Sequence, residues 1–260
     1  MATWQNDPFF QYPTTTFTSS EGAVTLPILY YDNSALIALF WVDHARAAAQ
    51  VTDGLQAVRF GNGKALVAMA LYDYRDTAIA AYREAGVAIA VVPQGVQQPA
   101  FPLLSLFRSL DKNSVGFYVI DLPVTTAAAC AAGREIWGYP KFVTPIDFSL
   151  QGSHFKGAVM DPAGTGPLFT VRGKAGLALP GPLMDLVLFS PHHGQMLRTL
   201  VNTRGGAHVG LGGSMALEVS DSQHPMAQHL VALGLKRATP AFVSYTHALQ
   251  LRLNAGAALP

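Results

Sequence analysis

One nine-residue stretch carries most of the structural information in this chain: Gly133-Arg134-Glu135-Ile136-Trp137-Gly138-Tyr139-Pro140-Lys141. The sequence predicts a helix over 127–135 that stops here, because Gly138 is a residue type that ends helices. The apolar residues that follow predict a strand over Phe142–Leu150. Lys141 is therefore expected directly after a turn, at the start of a strand.

Short apolar or alternating runs bounded by turn residues fill most of the remaining chain, so strands outnumber helices. A sheet of so many strands tends to curl or close. We therefore predict a strand-dominated α+β fold, antiparallel and barrel-like, with a few short helices. No linker-like segment divides residues 1–260, which are expected to form one domain. The other candidate strands are 25–31, 35–42, 65–74, 87–93, 114–122, 155–160, 167–172, 185–190, 197–203, 214–219 and 242–253.

The predicted helices are identified by their capping residues. Asp43 is expected to cap a short helix that ends near residue 50. Thr125 or Thr126 is expected to cap the helix before Gly138. Ser222 is expected to cap a third helix, with Pro225 in its first turn.

Residues 94–112 do not fit the strand pattern, since they contain two prolines and a cluster of Leu and Phe. A short helix packed on the body is one interpretation of this segment. A lid or a subunit contact is the other.

The composition excludes several functional classes. Half of the residues are apolar, 13% are charged and the formal charge is +1, without a basic patch that would bind nucleic acid. The longest apolar runs are about half of the roughly 20 residues that a membrane span needs. No signal peptide pattern is present, and Cys130 is alone, so a cytoplasmic protein is expected. The eight histidines form no recognisable metal-binding set, so no metal is expected.

The surroundings of Lys141 suit an amine nucleophile. An amine attacks a ketone only when it is neutral, and a free lysine side chain, with a pKa near 10.4, is almost wholly charged at pH 7. Apolar burial favours the neutral form, and Trp137, Tyr139 and Phe142 provide apolar neighbours. The alternative is an ordinary surface lysine, which is how the other lysines are interpreted.

The nine-residue stretch resembles the signature of acetoacetate decarboxylases, in which a G-R-E segment leads to Y-P-K. The resemblance implies that Lys141 forms an imine with a substrate ketone, without a separate cofactor. Tyr82-Arg83-Glu84-Ala85-Gly86 resembles a family segment whose glutamate lines the active site, which implies acid–base work by Glu84. The run over 213–240 also looks like the family's C-terminal region, so the resemblance extends from about Leu36 onward. It further implies a homo-oligomer with an enclosed, largely apolar cavity.

The resemblance also points to a substrate-binding set, and the chain departs from the family pattern at two places. Arg134 and Glu135 either bind substrate or brace the helix end. The second lysine of the family is replaced by Phe142. A family arginine is missing from Tyr31–Ala38, and four arginines elsewhere are left as substitutes: Arg46, Arg59, Arg75 and Arg83. The implied substrate-binding set is Arg134, Glu135, Trp137, Tyr139 and Phe142.

Three functional hypotheses follow. The first is a Schiff-base lyase that acts on a keto acid, with decarboxylation and aldolase–dehydratase chemistry equally open; its partner is a small keto acid or aldehyde. The second is a non-catalytic small-molecule-binding barrel, since the second lysine and the arginine are absent. The third is an enzyme that forms no imine and has Glu84 as its only base.

Overall fold

The computed structural model describes residues 4–164, 166–181, 183–211 and 214–259, apart from the side chains of Gln5 and Leu211. Strands dominate these residues, and no helix among them is long and apolar enough to cross a bilayer. The helices are α1 His44–Ala48, α2 Pro102–Ser105, α3 Ala127–Trp137 and α4 Pro225–Ala232. The first eight strands are β1 Thr15–Ser19, β2 Gly22–Leu26, β3 Ile28–Asp43, β4 Leu55–Ala57, β5 Lys64–Thr77, β6 Tyr82–Pro93, β7 Gly116–Asp121 and β8 Ile146–Gln151. The others are β9 His154–Met160, β10 Pro167–Lys174, β11 Ala178–Gly181, β12 Leu186–His192, β13 Gln195–Arg204, β14 Ala207–Leu211, β15 Ala216–Val219 and β16 Phe242–Ala258.

Seven strands close into a barrel in the order β3, β5, β6, β7, β12, β13, β16 and back to β3. Neighbouring strands are antiparallel except for β7 and β12, which are parallel. β16 closes the barrel, because one of its edges pairs with β3 and the other pairs with β13 and β14. The predicted strand-dominated, barrel-like fold is confirmed.

A four-stranded antiparallel sheet, in the order β15, β10, β9, β8, packs against the outside of the barrel. Its apolar side chains join the outward-facing residues of β3, β5 and β6 in one core, to which α4 also contributes. The outer face of these barrel strands is therefore sealed from water.

The two faces of the barrel strands differ in burial. Because side chains alternate along a strand, every second residue of β3 and β6 points into the barrel. The outward residues of β6, such as Val87 and Ile89, are fully buried against the outer sheet. Several inward residues are only half-buried although a closed barrel surrounds them: Leu39, Trp41, Ala68, Gly86, Ala88, Leu186 and Leu188. The interior therefore contains space beside these side chains.

The helix predictions are correct at α1 and α3 and need one correction at α4. Asp43 caps α1, and Thr126 rather than Thr125 caps α3. α3 ends at Gly138 in the left-handed conformation with φ of 70°, as expected for a C-terminal glycine. The cap of α4 is His224, not Ser222, because the imidazole Nδ1 of His224 accepts a hydrogen bond from the Met226 amide at 3.2 Å.

The strand predictions miss several boundaries. The strands predicted over 25–31 and 35–42 are largely one long strand, β3, since the polar residues between them stay in the barrel wall. The strand predicted over Phe142–Leu150 begins only at Ile146. Residues 94–112 include the short helix α2, which agrees with the first of the two interpretations and leaves the second untested.

Candidate active site

Lys141 lies inside the barrel on the segment between α3 and β8. The residue is 7% exposed, and its backbone amide donates to the carbonyl of Tyr139 at 2.7 Å. Gly133 on α3 makes room for it, because a Cβ atom at that position would lie 2.4 Å from both Cδ and Cε of Lys141. The lysine therefore runs against the helix backbone, a path that only glycine at position 133 allows.

The amine of Lys141 meets a buried carboxylate. Its Nζ lies 2.7 Å from Oε2 of Glu84, on the inner face of β6. The Tyr74 hydroxyl donates to the other carboxylate oxygen, Oε1, at 3.2 Å. Both members of the pair are almost fully buried, so solvent screens their interaction little. The structure thus brings together the two residues that the sequence predicted as catalytic.

Tyrosine side chains surround this pair on the barrel interior. The hydroxyls of Tyr30 and Tyr82 lie 2.8 Å apart, and Lys141 Nζ lies 5.7 Å from the centre of the Tyr82 ring. Tyr72 is directly opposite Glu84 in the strand register. Burial, and secondly the charge of Glu84, raise the pKa of Tyr72 and Tyr74. These phenols therefore remain protonated and can donate hydrogen bonds near neutral pH.

Sequence reasoning missed these tyrosines as site residues. Tyr72 and Tyr74 alternate along one strand, and that spacing alone also fits ordinary barrel packing. The signal that could have found them is the position of Glu84: residues that pair across from it and from its neighbour at i−2 must share its face.

Trp137 and Tyr139 are buried next to each other on the segment that leads to Lys141. Their rings stack with centroids 5.9 Å apart, and the Trp137 indole donates to the carbonyl of Asn254 at 3.0 Å. Tyr139 interacts with Thr199 through its hydroxyl, but neither hydroxyl makes a well-formed hydrogen bond to a protein atom. The aromatic rings therefore pack together here, while the hydrogen-bonding capacity of the two hydroxyls is not fully used.

The structure does not bring the other three predicted substrate-binding residues to the amine. The Phe142 ring packs on the His224 ring, with centroids 4.6 Å apart, and joins the core outside the barrel. Arg134 is exposed. Glu135 accepts hydrogen bonds from the amide of Ser20, at 3.0 Å, and from its hydroxyl, so it braces α3 against the turn between β1 and β2. Bracing was the alternative interpretation of Glu135.

None of the four candidate arginines reaches the pair. Arg75 and Arg83 bind carboxylates on the outer surface. Arg59 contacts His44, and Arg46 lies against Gly234, just after α4. Among the described residues, Lys141 is therefore the one cation in contact with Glu84. In the same part of the chain, no three His, Cys, Asp or Glu side chains lie close enough together to hold a metal ion.

A separate cavity of about 180 Å³ is lined in part by Gly138, Pro140 and His229. His229 Nδ1 lies 3.0 Å from a carboxylate oxygen of Asp121, and that interaction raises the pKa of the imidazole. Burial raises the pKa of Asp121. Neither Lys141 nor Glu84 lines this cavity, so the two sites are distinct.

The fold and the site define a class: a closed β-barrel with an amine and a carboxylate paired in its interior. The family described as acetoacetate decarboxylase (ADC) matches residues 11–233. The chain belongs to the acetoacetate decarboxylase family, a family that includes enzymes. No curated protein matches the chain.

Solved structures share the fold at low sequence identity. Acetoacetate decarboxylase from Legionella pneumophila subsp. pneumophila str. Philadelphia 1 is 16% identical with a TM-score of 0.65, covering 98% of this chain and 94% of that chain. An acetoacetate decarboxylase-like enzyme from Sphingomonas wittichii RW1 is 14% identical, with a TM-score of 0.62 and coverages of 91% and 94%. The enduracididine biosynthesis enzyme MppR, complexed with the condensation product of pyruvate and imidazole 4-carboxaldehyde, is 12% identical, with a TM-score of 0.61 and coverages of 90% for both chains.

Proposed function

We propose that this protein is an imine-forming lyase that acts on a keto acid, with Lys141 as the nucleophile and Glu84 as the acid–base group. The observation that carries the proposal is the 2.7 Å contact between Lys141 Nζ and Glu84 Oε2 inside the barrel. Imine formation needs a nucleophile and a proton acceptor. The lysine and the carboxylate provide these two groups next to each other inside the barrel.

The carboxylate beside the amine offers a route to the neutral nucleophile that needs no second cation. Transfer of one proton from Nζ to Oε2 would convert an ammonium and a carboxylate into an amine and a carboxylic acid. Low polarity disfavours separated charges, so burial reduces the free energy difference between these two forms. Tyr74 holds the second carboxylate oxygen and keeps Oε2 directed at the amine.

Imine formation then balances within the pair. The amine nitrogen bonds to the carbonyl carbon while the carbonyl oxygen takes the proton of Glu84. The resulting carboxylate removes a proton from the nitrogen. It returns that proton to the hydroxyl group, which leaves as water and produces a protonated imine opposite a carboxylate. The pair carries no net charge throughout, which suits a site where charge is costly.

Two continuations share this first step. In a β-keto acid, the bond to the carboxylate carbon breaks, carbon dioxide leaves and the electron pair moves toward the imine nitrogen. In a 2-oxo acid, Glu84 removes a proton from the neighbouring carbon, and the enamine attacks an aldehyde whose oxygen takes that proton. The similar folds of an acetoacetate decarboxylase and of MppR with its pyruvate condensation product support both. A homo-oligomeric, cytoplasmic protein with one domain over 1–260 completes the proposal.

The test is reductive trapping. The protein is incubated with acetoacetate, or with pyruvate with and without an aldehyde, in the presence of borohydride, and adducts are mapped by peptide mass. We expect one adduct, at Lys141, and carbon dioxide or condensation product in matched reactions without borohydride. Lys156 on β9 is an internal control, because any adduct there reports general surface reactivity.

Two variants separate the alternatives. Glu84→Gln keeps the shape of the side chain but removes the proton acceptor, so trapping should slow by about 10²–10⁴-fold. Turnover that disappears in Glu84→Gln but persists in Lys141→Ala would contradict the imine and favour a site with Glu84 as the only base. Ligand binding without any adduct or turnover in the parent protein would favour the non-catalytic barrel.

A further inference from the structure

Small residues line the barrel wall next to Glu84. Glu84, Gly86 and Ala88 point into the barrel from β6, because side chains alternate along a strand. Gly86 pairs with Ala70 on β5, and Ala88 pairs with Ala68. Two successive rungs beside the carboxylate therefore carry only glycine and alanine, and they form a shallow groove about 13 Å long from Glu84 to Ala88.

This groove is partly accessible and is narrowest at Gly86, where Cδ1 of Leu122 lies 3.1 Å from the place that a Cβ atom would occupy. Gly86, Ala88 and Ala68 are half-buried, whereas the outward residues between them, such as Val87 and Met69, are sealed. The walls at the far end are also apolar and half-buried: Leu39, Trp41, Leu186 and Leu188. Ala88, Leu186 and Leu188 pack against the apolar cluster around the tyrosines and also against a second cluster around Val92 and Phe117. The groove therefore continues from the tyrosines toward the other end of the barrel.

The polar end of a ligand meets a pair of groups that carries no net charge. Lys141 and Glu84 already neutralise each other, and among the described residues no further cation contacts them. A substrate carboxylate therefore finds only neutral donors here, which limits its contribution to affinity.

We infer that the substrate is a keto acid with an apolar group several carbons long, which lies along the groove formed by Ala68, Ala70, Gly86 and Ala88. This inference rests on the proposed function and adds its substrate class. The polar end binds at Lys141, where a weakly held carboxylate gives little affinity. The apolar group supplies the rest, because each buried methylene strengthens binding by about fourfold.

The experiment measures the half-saturating concentration for borohydride trapping at Lys141 across pyruvate, 2-oxobutanoate, 2-oxohexanoate and 2-oxooctanoate. We expect the value to fall by about 60-fold from pyruvate to 2-oxohexanoate, because the two acids differ by three methylenes and each contributes about fourfold. A value independent of chain length, with pyruvate still trapped, overturns the inference and leaves the proposed function intact. No adduct with any of the four overturns the proposed function, and this inference with it.

Filling the groove tests its location. Ala88→Leu should flatten the dependence on chain length, while Ala257→Leu, at an exposed position of β16, adds the same bulk and should not change it. Ala88→Val is a milder second variant if Ala88→Leu unfolds, and it should reduce the dependence in part. A dependence unchanged in a folded Ala88 variant places the apolar group elsewhere and overturns the inference.

Discussion

Gly133→Ala tests the path of the lysine side chain most directly. By itself, alanine in place of glycine inside a helix stabilises by about 0.5–1 kcal/mol. Here the new Cβ would lie 2.4 Å from Cδ and Cε of Lys141, closer than real contacts allow. Overpacking of this kind costs about 1–3 kcal/mol. Moving the ammonium off Glu84 instead would leave a buried charge unpaired, at about 3–5 kcal/mol.

Overpacking is the smaller of the two costs and should decide the outcome. After the gain from alanine in the helix is subtracted, we expect the free energy of unfolding to fall by about 1–2 kcal/mol. The lysine side chain should shift by about 1 Å to accommodate the new methyl group while its contact with Glu84 is kept, and a shift of that size should slow the trapping of pyruvate by about 100-fold. Urea denaturation and the rate of borohydride trapping measure the two effects.

Gly61→Ala is the matched control, because no atom lies within 4 Å of its Cβ position. A Gly133→Ala protein as stable as this control, with trapping at the parental rate, would refute the reasoning.

Two further predictions concern residues outside the pair. Phe142→Lys restores the second lysine of the family pattern. Because Phe142 packs on His224 rather than on the amine, the rate of borohydride trapping should stay near that of the parent protein, while the free energy of unfolding falls by about 1–2 kcal/mol. A large rise in the trapping rate would contradict this geometry. Hydrogen bonding to Arg204 lowers the pKa of Asp7 from 3.8 to about 2. A pKa that is lower in the folded state contributes stability above pH 3.8, and this contribution is lost as the pH falls through about 2. Asp7→Asn should therefore reduce the fall of the melting temperature over this acidic range. An unchanged acidic range would argue against the ion pair of Asp7 and Arg204.

Local sequence rules predicted the elements whose stability is decided locally. Asp43 and Gly138 ended up where capping chemistry places them, and these signals depend on only a few neighbours. The predicted cap of α4 was wrong because the imidazole of His224, rather than the hydroxyl of Ser222, accepts the hydrogen bond at the helix start. Histidine is a less common capping residue than serine. The long strand β3 was divided because the polar residues in its middle resemble a turn, whereas strand partners on both sides hold them in place.

For the site, the sequence identified Lys141 and Glu84 through short motifs but not the residues that surround them. Phe142 illustrates the limit: its closeness in sequence to Lys141 suggested contact, yet neighbouring residues of extended backbone point to opposite sides. The tyrosines around Glu84 come from other strands, and only the pairing register brings them together. Motifs therefore indicated the reacting groups, and tertiary structure was needed for their environment.

The closure of the barrel by β16 has a consequence for how the protein folds. The Asn33 side chain on β3 donates to the carbonyl of Leu249 on β16, a contact between residues 216 positions apart. Contacts this distant in sequence form slowly, because most of the chain must be ordered before they add any stability. During synthesis, Lys141 and Glu84 therefore emerge long before the wall that encloses them, and the amine remains in water until β16 joins β3. Chains that stall before this strand should expose an unpaired sheet edge, which makes them prone to aggregation.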